Sequence, residues 1–231
     1  MTNLVLVHGS YHGAWCWDRL APELERLGHR VMAVDLPVSD PAAGGSEYAD
    51  AIEAQVDWSE PPVLVAHSSS GLVAPIVAAR RPVRQIVFIA AMLPKPGMSA
   101  NEQRAAEPID GPTPLTTAEW TDLGDGVWSV GPNTAREMFF PDAAPADAAW
   151  ATAQMRPQAY RVMNEITPLM GWPDVQSAYI VCREDRATNP EWGRRAARER
   201  LGVEPVEIDG GHSPFITRPM ELAALIDSII E

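Results

Sequence analysis

The sequence is short of three things: lysine, cysteine and long apolar runs. Lys95 is the only lysine among 231 residues, whereas Asp and Glu number 31, so the formal net charge is −13 at pH 7. This charge disfavours nucleic acid and anionic membrane surfaces as partners, because both are negatively charged. No stretch approaches the roughly 20 apolar residues of a transmembrane helix, and Met1 leads into an apolar segment without a basic signal-peptide region. We therefore expect a cytoplasmic protein without a membrane partner.

The two cysteines, Cys16 and Cys182, fall in segments that predict a helix and a strand. We expect buried free thiols in a reducing compartment rather than a disulfide. With 46% hydrophobic and 21% charged residues, the composition fits one globular α/β domain with an insertion, or at most two small domains.

Six short apolar segments alternate with helical stretches along the chain. They are residues 4–7, 31–34, 63–66, 85–90, 178–181 and 203–208. Most are continuously apolar, which is typical of strands buried on both faces of a parallel sheet. Apolar residues at helical spacing predict a helix over 15–27, closed by Gly28. The pattern predicts an α/β fold with a mostly parallel, doubly wound sheet.

The alternation stops between residues 94 and 172, which we name the cap segment. It is rich in proline, shows helical pieces near 134–140 and 146–155, and has no apolar run that predicts a strand. We expect a largely helical cap inserted after the fourth strand, with residues 1–93 and 173–231 forming the core. Five of the nine methionines and several aromatics lie here. They predict either contacts with a ligand or a small separate core, and both can hold.

Residues 63–71, Val-Leu-Val-Ala-His-Ser-Ser-Ser-Gly, combine an apolar run with small residues before a helical stretch. A strand that ends at a serine and turns into a helix is the layout of a nucleophile elbow. Ala66 and Ser70 stand where glycine is usual, and Gly71 follows. Ser68 is therefore the candidate nucleophile, with Ser70 as a residue that could crowd the turn.

A serine hydroxyl needs a base, and an imidazole serves best when a carboxylate orients it. Asp185 follows the predicted strand 178–181, and His212 follows the strand that ends at residue 208. Because parallel strands end at the same sheet edge, these residues and Ser68 should converge there in the order Ser, Asp, His. Glu184 competes with Asp185 for the acidic role.

Acyl transfer also needs backbone donors for the negative charge that develops on the carbonyl oxygen. One should be the N–H of Ser69, directly after the nucleophile. The second should be the N–H of Ser10, because Gly9 permits a tight turn after the first strand. We expect His8 and His12 to be structural rather than catalytic.

Four segments carry a resemblance to a known family: 6–17, 66–71, 179–186 and 210–215. They resemble the branch of the α/β-hydrolase superfamily that holds plant methyl esterases, hydroxynitrile lyases and related bacterial esterases. The resemblance spans the chain and is weakest in the cap segment. It implies the α/β-hydrolase fold, a triad of Ser68, Asp185 and His212, and oxyanion donors at Ser10 and Ser69.

Hydroxynitrile lyases of that branch have a threonine where this chain has Gly9, and a lysine after the catalytic histidine. Here Ser213 follows His212, and Lys95 is far away in sequence. We therefore expect a serine carboxylesterase that hydrolyses a small-to-medium hydrophobic ester through an acyl-enzyme. The alternative is a hydroxynitrile lyase or another C–C bond-cleaving enzyme, and a non-catalytic ligand-binding receptor is less favoured.

The expected partner is a small-molecule ester, and a homodimer stays open. We expect no cofactor and no metal, because no cluster of His, Cys and Asp has the spacing of metal ligands.

Overall fold

The computed structural model describes residues 1–112 and 119–230. The first part of the chain alternates strands with helices: β1 (Asn3–Val7), α1 (Ala21–Arg26), β2 (Arg30–Val34), α2 (Gly45–Gln55), β3 (Val63–His67), α3 (Ala74–Arg80) and β4 (Gln85–Ile89). Every residue of β3 and β4 is buried. This burial explains their uninterrupted apolar sequences, because each strand packs against helices on both faces of the sheet.

The prediction of a single helix over residues 15–27 was wrong. The chain instead forms a short 3₁₀ turn, Ala14–Trp17, and then α1, in which Pro22 occupies the first turn. Proline has no N–H to donate and suits only the first turn of a helix, so a continuous helix through this point is disfavoured.

The cap segment contains α4 (Ala100–Ala106), β5 (Trp120–Asp122), β6 (Val127–Val130), α5 (Pro132–Phe139), α6 (Pro145–Gln154), β7 (Gln158–Ala159) and α7 (Arg161–Asn164). The helices expected near 134–140 and 146–155 are confirmed as α5 and α6. The expectation of a segment without strands was wrong, because β5, β6 and β7 form a small antiparallel sheet.

Short strands and a glycine turn explain why this small sheet left no apolar run in the sequence. None of its three strands is longer than the four residues of β6, and all four of those residues are partly exposed. Gly124 and Gly126 take positive φ angles of 88° and 73°, which lets the chain reverse between β5 and β6.

The remainder of the chain adds β8 (Gln176–Cys182), α8 (Pro190–Ala196), β9 (Val206–Ile208), α9 (Pro214–Thr217) and α10 (Pro219–Ile230). The main sheet has the order β2-β1-β3-β4-β8-β9, and every neighbouring pair is parallel. The predicted α/β fold with a mostly parallel sheet is confirmed. All six strands therefore end at one edge, where the loops after β1, β3, β8 and β9 meet.

Two apolar layers cover the sheet. Tyr48 and Trp192 belong to the layer on one face, and Trp17 and Leu222 belong to the layer on the other. Cys16 and Cys182 are both buried and free, as expected, and burial raises the pKa of each thiol above its usual value. Among the described helices, none is both long and apolar enough to cross a membrane.

Arg156, just after α6, joins the cap segment to the loops that follow β1 and β2. Its guanidinium donates to the Asp35 carboxylate at 2.8 Å and to the carbonyl of His12 at 2.8 Å. Its backbone N–H donates to the carbonyl of Tyr11 at 2.9 Å. The cap segment therefore holds the same loop that the sequence predicts to carry an oxyanion donor.

Candidate active site

Ser68 lies at the end of β3, in a backbone conformation that few residues adopt. Its φ angle is +55°, in the left-handed region that disfavours residues with a side chain. Its carbonyl accepts a hydrogen bond of 2.9 Å from the N–H of Met92, and the 3₁₀ turn Ser68–Leu72 leads into α3. This is the strand–turn–helix geometry expected of a nucleophile elbow.

Two glycines make room for this turn. A Cβ atom on Gly9 would lie 2.8 Å from the Cβ of Ser68, and one on Gly71 would lie 2.2 Å from the carbonyl oxygen of Met92. Real Cβ atoms essentially never come this close to other heavy atoms, so both positions need glycine. In this elbow, the position that must be glycine is therefore residue 71 and not residue 70.

Ser70 does not crowd the elbow. It is buried, and its hydroxyl lies 2.8 Å from the carbonyl oxygens of both Val7 and His67. These contacts join the end of β1 to the end of β3, because Val7 is the last residue of β1. The hydroxyl has one hydrogen, so a serine here supplies a donor to one or the other of these buried carbonyl groups, which glycine could not do.

Asp185 and His212 lie next to each other in the loops after β8 and β9. The Asp185 carboxylate accepts a hydrogen bond of 2.8 Å from Nδ1 of His212, and both side chains are about 98% buried or more. Its other oxygen accepts from the N–H groups of Ala187 and Thr188 at 2.8 and 2.9 Å. Both carboxylate oxygens are therefore engaged, which fixes the orientation of the carboxylate toward the imidazole.

Glu184, the competing acid, has a different place. It is exposed, and its carboxylate accepts from the backbone N–H of Gly210 rather than from a histidine. The geometry therefore favours Asp185 as the acidic partner of His212. Within residues 1–112 and 119–230, no hydrogen bond joins Ser68 directly to His212, and such contacts often form only once substrate is bound.

Ser10 and Ser69 meet beside the elbow, since their hydroxyl oxygens lie 2.8 Å apart. Within the described parts of the chain, neither backbone N–H donates to another protein group. The carbonyl of Ser10 accepts a hydrogen bond of 2.7 Å from Nδ1 of His12. Burial lowers the pKa of His12 to about 3, so this imidazole is neutral and holds the Ser10 peptide in place.

Two more buried histidines support the same loops. His8 accepts from the N–H of Leu36 at 3.0 Å and donates to the carbonyl of Gly9 at 2.9 Å, in keeping with the structural role expected for it. His67 donates from Nε2 to the carbonyl of His212 at 2.9 Å, and burial lowers its pKa. Sequence reasoning missed this role of His67, although its position before Ser68 was the signal.

A cavity of about 520 Å³ opens beside Ser68, Ser69 and Ser10, a volume typical of small-molecule sites. Much of its apolar lining comes from the cap segment, from Ile109, Trp120, Trp128, Met138, Phe139 and Met163. Some of the methionines and aromatics of the cap segment therefore line a cavity, whereas others, such as Phe140, are fully buried in the apolar layer. Whether the lining residues contact a ligand stays a prediction.

Comparisons with known proteins identify the class to which this fold and site belong. Residues 4–225 match the model of the alpha/beta hydrolase family. The chain therefore belongs to that family.

Individual relatives resemble the chain over nearly its whole length. Methylesterase 3 of Arabidopsis thaliana is 29% identical, over 97% of this chain and 94% of the relative. Methyl jasmonate esterase 1 of Vitis vinifera is 27% identical, over 99% and 97%. The crystal structure of polyneuridine aldehyde esterase superposes with a TM-score of 0.85 at 23% identity, and covers all of both chains. At this identity the structural likeness shows the fold alone.

We expect Ser70→Gly to lower the free energy of unfolding by about 1–2 kcal/mol, because the buried carbonyls of Val7 and His67 lose a donor. Urea unfolding followed by tryptophan fluorescence measures the change. The matched variant Ser70→Ala keeps the Cβ atom and should lose a similar amount, which separates the hydrogen bonds from the flexibility of glycine. Unchanged stability in both variants would contradict this account of Ser70.

Proposed function

We propose that the protein is a serine carboxylesterase whose catalytic residues are Ser68, Asp185 and His212. The observation that carries the proposal is the buried hydrogen bond of 2.8 Å between Asp185 and His212. It lies at the sheet edge where Ser68 projects from a strained turn. A charged carboxylate beside a buried imidazole stabilises the imidazolium that forms when the imidazole removes a proton from serine.

In the first step, Nε2 of His212 takes the hydroxyl proton of Ser68 while the serine oxygen attacks the ester carbonyl. Asp185 holds Nδ1 of the ring, so Nε2 is the nitrogen that is free to act as the base. The neutral His67 fixes the carbonyl of His212 and thereby the position of the loop. His212 then donates the proton to the departing alcohol, and the acyl group stays on Ser68.

The negative charge of each tetrahedral intermediate lies on the former carbonyl oxygen. The backbone N–H groups of Ser10 and Ser69 are the donors that we assign to this oxygen. Such preorganised donors lower the barrier because they need no reorientation during the reaction. A water molecule, activated by His212, then hydrolyses the acyl-enzyme and releases the acid.

The cavity supports a small-to-medium hydrophobic ester as substrate. Its volume suits a small organic molecule, and its aromatic and methionine lining favours apolar groups. We propose that residues 94–172 act as the cap over this cavity, with 1–93 and 173–231 as the core. The names of the plant relatives, methylesterase and methyl jasmonate esterase, support ester hydrolysis.

The lyase alternative is not favoured by the site. Lys95 is exposed and does not line the cavity, and the residue after His212 is a buried serine. A threonine side chain at position 9 would have its Cβ atom 2.8 Å from that of Ser68. Neither of the two features that distinguish the lyases is therefore present at this site.

We further propose a cytoplasmic location and a small-molecule ester as the partner of the site. The buried free thiols of Cys16 and Cys182 support a reducing compartment. The homodimer stays a prediction, which a measurement of the oligomeric state in solution would test.

We expect Ser68→Ala to abolish covalent labelling by a fluorophosphonate probe, because the probe reacts only with an activated serine. Intact-mass spectrometry and peptide mapping read out the adduct, and circular dichroism reports the fold. Ser213→Ala, a buried serine at the same sheet edge, should keep the label. Persistent labelling of Ser68→Ala, or labelling that moves to Ser69, would contradict the assignment. Cyanide release from mandelonitrile without hydrolysis of p-nitrophenyl esters would contradict the esterase function instead and favour the lyase.

We expect Asp185→Asn to lower kcat by about 10⁴-fold, because an amide no longer favours the correct tautomer of His212 or stabilises its imidazolium. Glu184→Gln is the matched variant at the neighbouring acid and should leave kcat nearly unchanged, since Glu184 contacts a backbone N–H instead. Steady-state hydrolysis of p-nitrophenyl butyrate measures both. Equal losses of kcat in the two variants would contradict the assignment of Asp185 as the acidic residue. A greater loss of kcat in Glu184→Gln would give that role to Glu184.

A further inference from the structure

Two tyrosine hydroxyls form a polar spot in the otherwise largely apolar wall of the cavity. Tyr11 and Tyr160 both line the cavity, and their hydroxyl oxygens lie 2.8 Å apart. A tyrosine hydroxyl carries one hydrogen and two lone pairs. One hydrogen is used between the two oxygens, so the pair retains one further O–H donor, and no other protein group in the described residues accepts it.

Tyr11 is held in place from several sides. Its φ angle is +64°, a strained value for a residue with a side chain. Its N–H donates to the side chain of Gln158 at 3.3 Å, and its carbonyl accepts from the N–H of Arg156 at 2.9 Å. Its ring lies against Trp120, with the centroids 5.7 Å apart. The strain is therefore maintained by packing and hydrogen bonds, and the hydroxyl is preorganised.

Tyr11 also keeps its proton, and the pair lies close to the reacting centre. Tyr11 is only 2% exposed, and burial raises the pKa of its hydroxyl, so it is neutral at physiological pH. Tyr11 directly follows Ser10, whose N–H we assign to the oxyanion. Tyr160 is the more exposed partner. Three charged residues also line the cavity. Arg104 and Asp110 lie 3.0 Å from each other and form an ion pair, and Arg186 is the third.

We propose that the Tyr11–Tyr160 pair donates a hydrogen bond to a second oxygen of the substrate, apart from the ester group itself. The substrate class is then a hydrophobic ester with a keto, hydroxyl or ether oxygen in its acyl or alcohol part. The inference rests on the proposed esterase function and names its substrate class. Tyr160 makes the contact, and Tyr11 positions it.

The preference follows from the cost of an unmade hydrogen bond. When a purely hydrocarbon ester fills the cavity, it displaces water from the pair and leaves the O–H donor without a partner. An ester with an oxygen at the right place supplies the acceptor. A site built to hydrogen-bond a substrate group rejects the analogue that lacks it more strongly than an apolar pocket does.

The experiment compares matched esters in wild type and Tyr160→Phe. On the acyl side, methyl 3-, 4- and 5-oxohexanoate are compared with methyl hexanoate. On the alcohol side, 2-methoxyethyl hexanoate is compared with butyl hexanoate. The readout is the ratio of kcat/KM within each pair and its change on mutation, so the intrinsic reactivity of each ester cancels. We expect at least one ratio to fall roughly tenfold in Tyr160→Phe, the size of one lost hydrogen bond.

Tyr48→Phe is the matched control. Tyr48 is buried, and its hydroxyl accepts from Gln158 at 3.1 Å, but it does not line the cavity. Its removal should leave every ratio unchanged. Tyr11→Phe should give an intermediate loss, because the Tyr160 hydroxyl remains but loses its partner.

If the protein hydrolyses the hydrocarbon esters and Tyr160→Phe leaves every kcat/KM ratio unchanged, the inference about the tyrosine pair is overturned. The esterase proposal is then supported. Turnover of no ester at all would contradict the esterase proposal instead. In that case we measure binding of hexanamide and the oxohexanamides to the Ser68→Ala variant by NMR titration. This experiment tests whether the tyrosine pair recognises a second oxygen in the absence of turnover. A preference for an oxohexanamide that is lost with Tyr160→Phe supports the pair, and equal binding overturns it.

Discussion

The backbone of Ser68 carries a strain of order 1–3 kcal/mol, and the rest of the site depends on how that strain is held. A φ angle of +55° lifts the serine out of the line of β3, so its hydroxyl stands clear of the sheet. Gly9 and Gly71 allow two neighbouring stretches of backbone to approach the turn, and Met92 donates to the serine carbonyl. The same turn begins the 3₁₀ helix Ser68–Leu72, whose first N–H groups have no partner within the helix, and this places the Ser69 N–H beside the hydroxyl.

Buried neutral histidines hold the loops around this turn. His12 and His67 are each surrounded by protein, and burial lowers both pKa values. A neutral imidazole has a defined donor nitrogen, and here each donor points at the carbonyl of a site residue, Ser10 or His212. Buried polar groups of this kind are costly unless they are paired. One nitrogen of each ring is paired in this way, and these two hydrogen bonds favour the present arrangement of the loops over alternatives that would break them.

The sequence was sufficient to place Ser68, Asp185 and His212 at one sheet edge, because parallel strands leave no other place for the loops that follow them. It did not decide between Asp185 and Glu184, since neighbouring acids differ only in which backbone and side-chain groups they meet after folding. The short strands of the cap segment were missed because they bury few apolar side chains, so no apolar run marks them in the sequence. The Tyr11–Tyr160 pair was missed for a similar reason, because 149 positions separate its members and only tertiary structure brings them together.

We propose that Ser68, Ser10 and Ser69 together surround one reacting carbonyl. A crystal structure of the protein after reaction with an alkyl fluorophosphonate, whose adduct mimics the tetrahedral intermediate, tests this arrangement. We expect phosphorus bonded to Oγ of Ser68, and a phosphoryl oxygen at roughly 2.7–3.1 Å from the amide nitrogens of Ser10 and Ser69. An adduct on another residue, or a phosphoryl oxygen directed away from both amides, would contradict it.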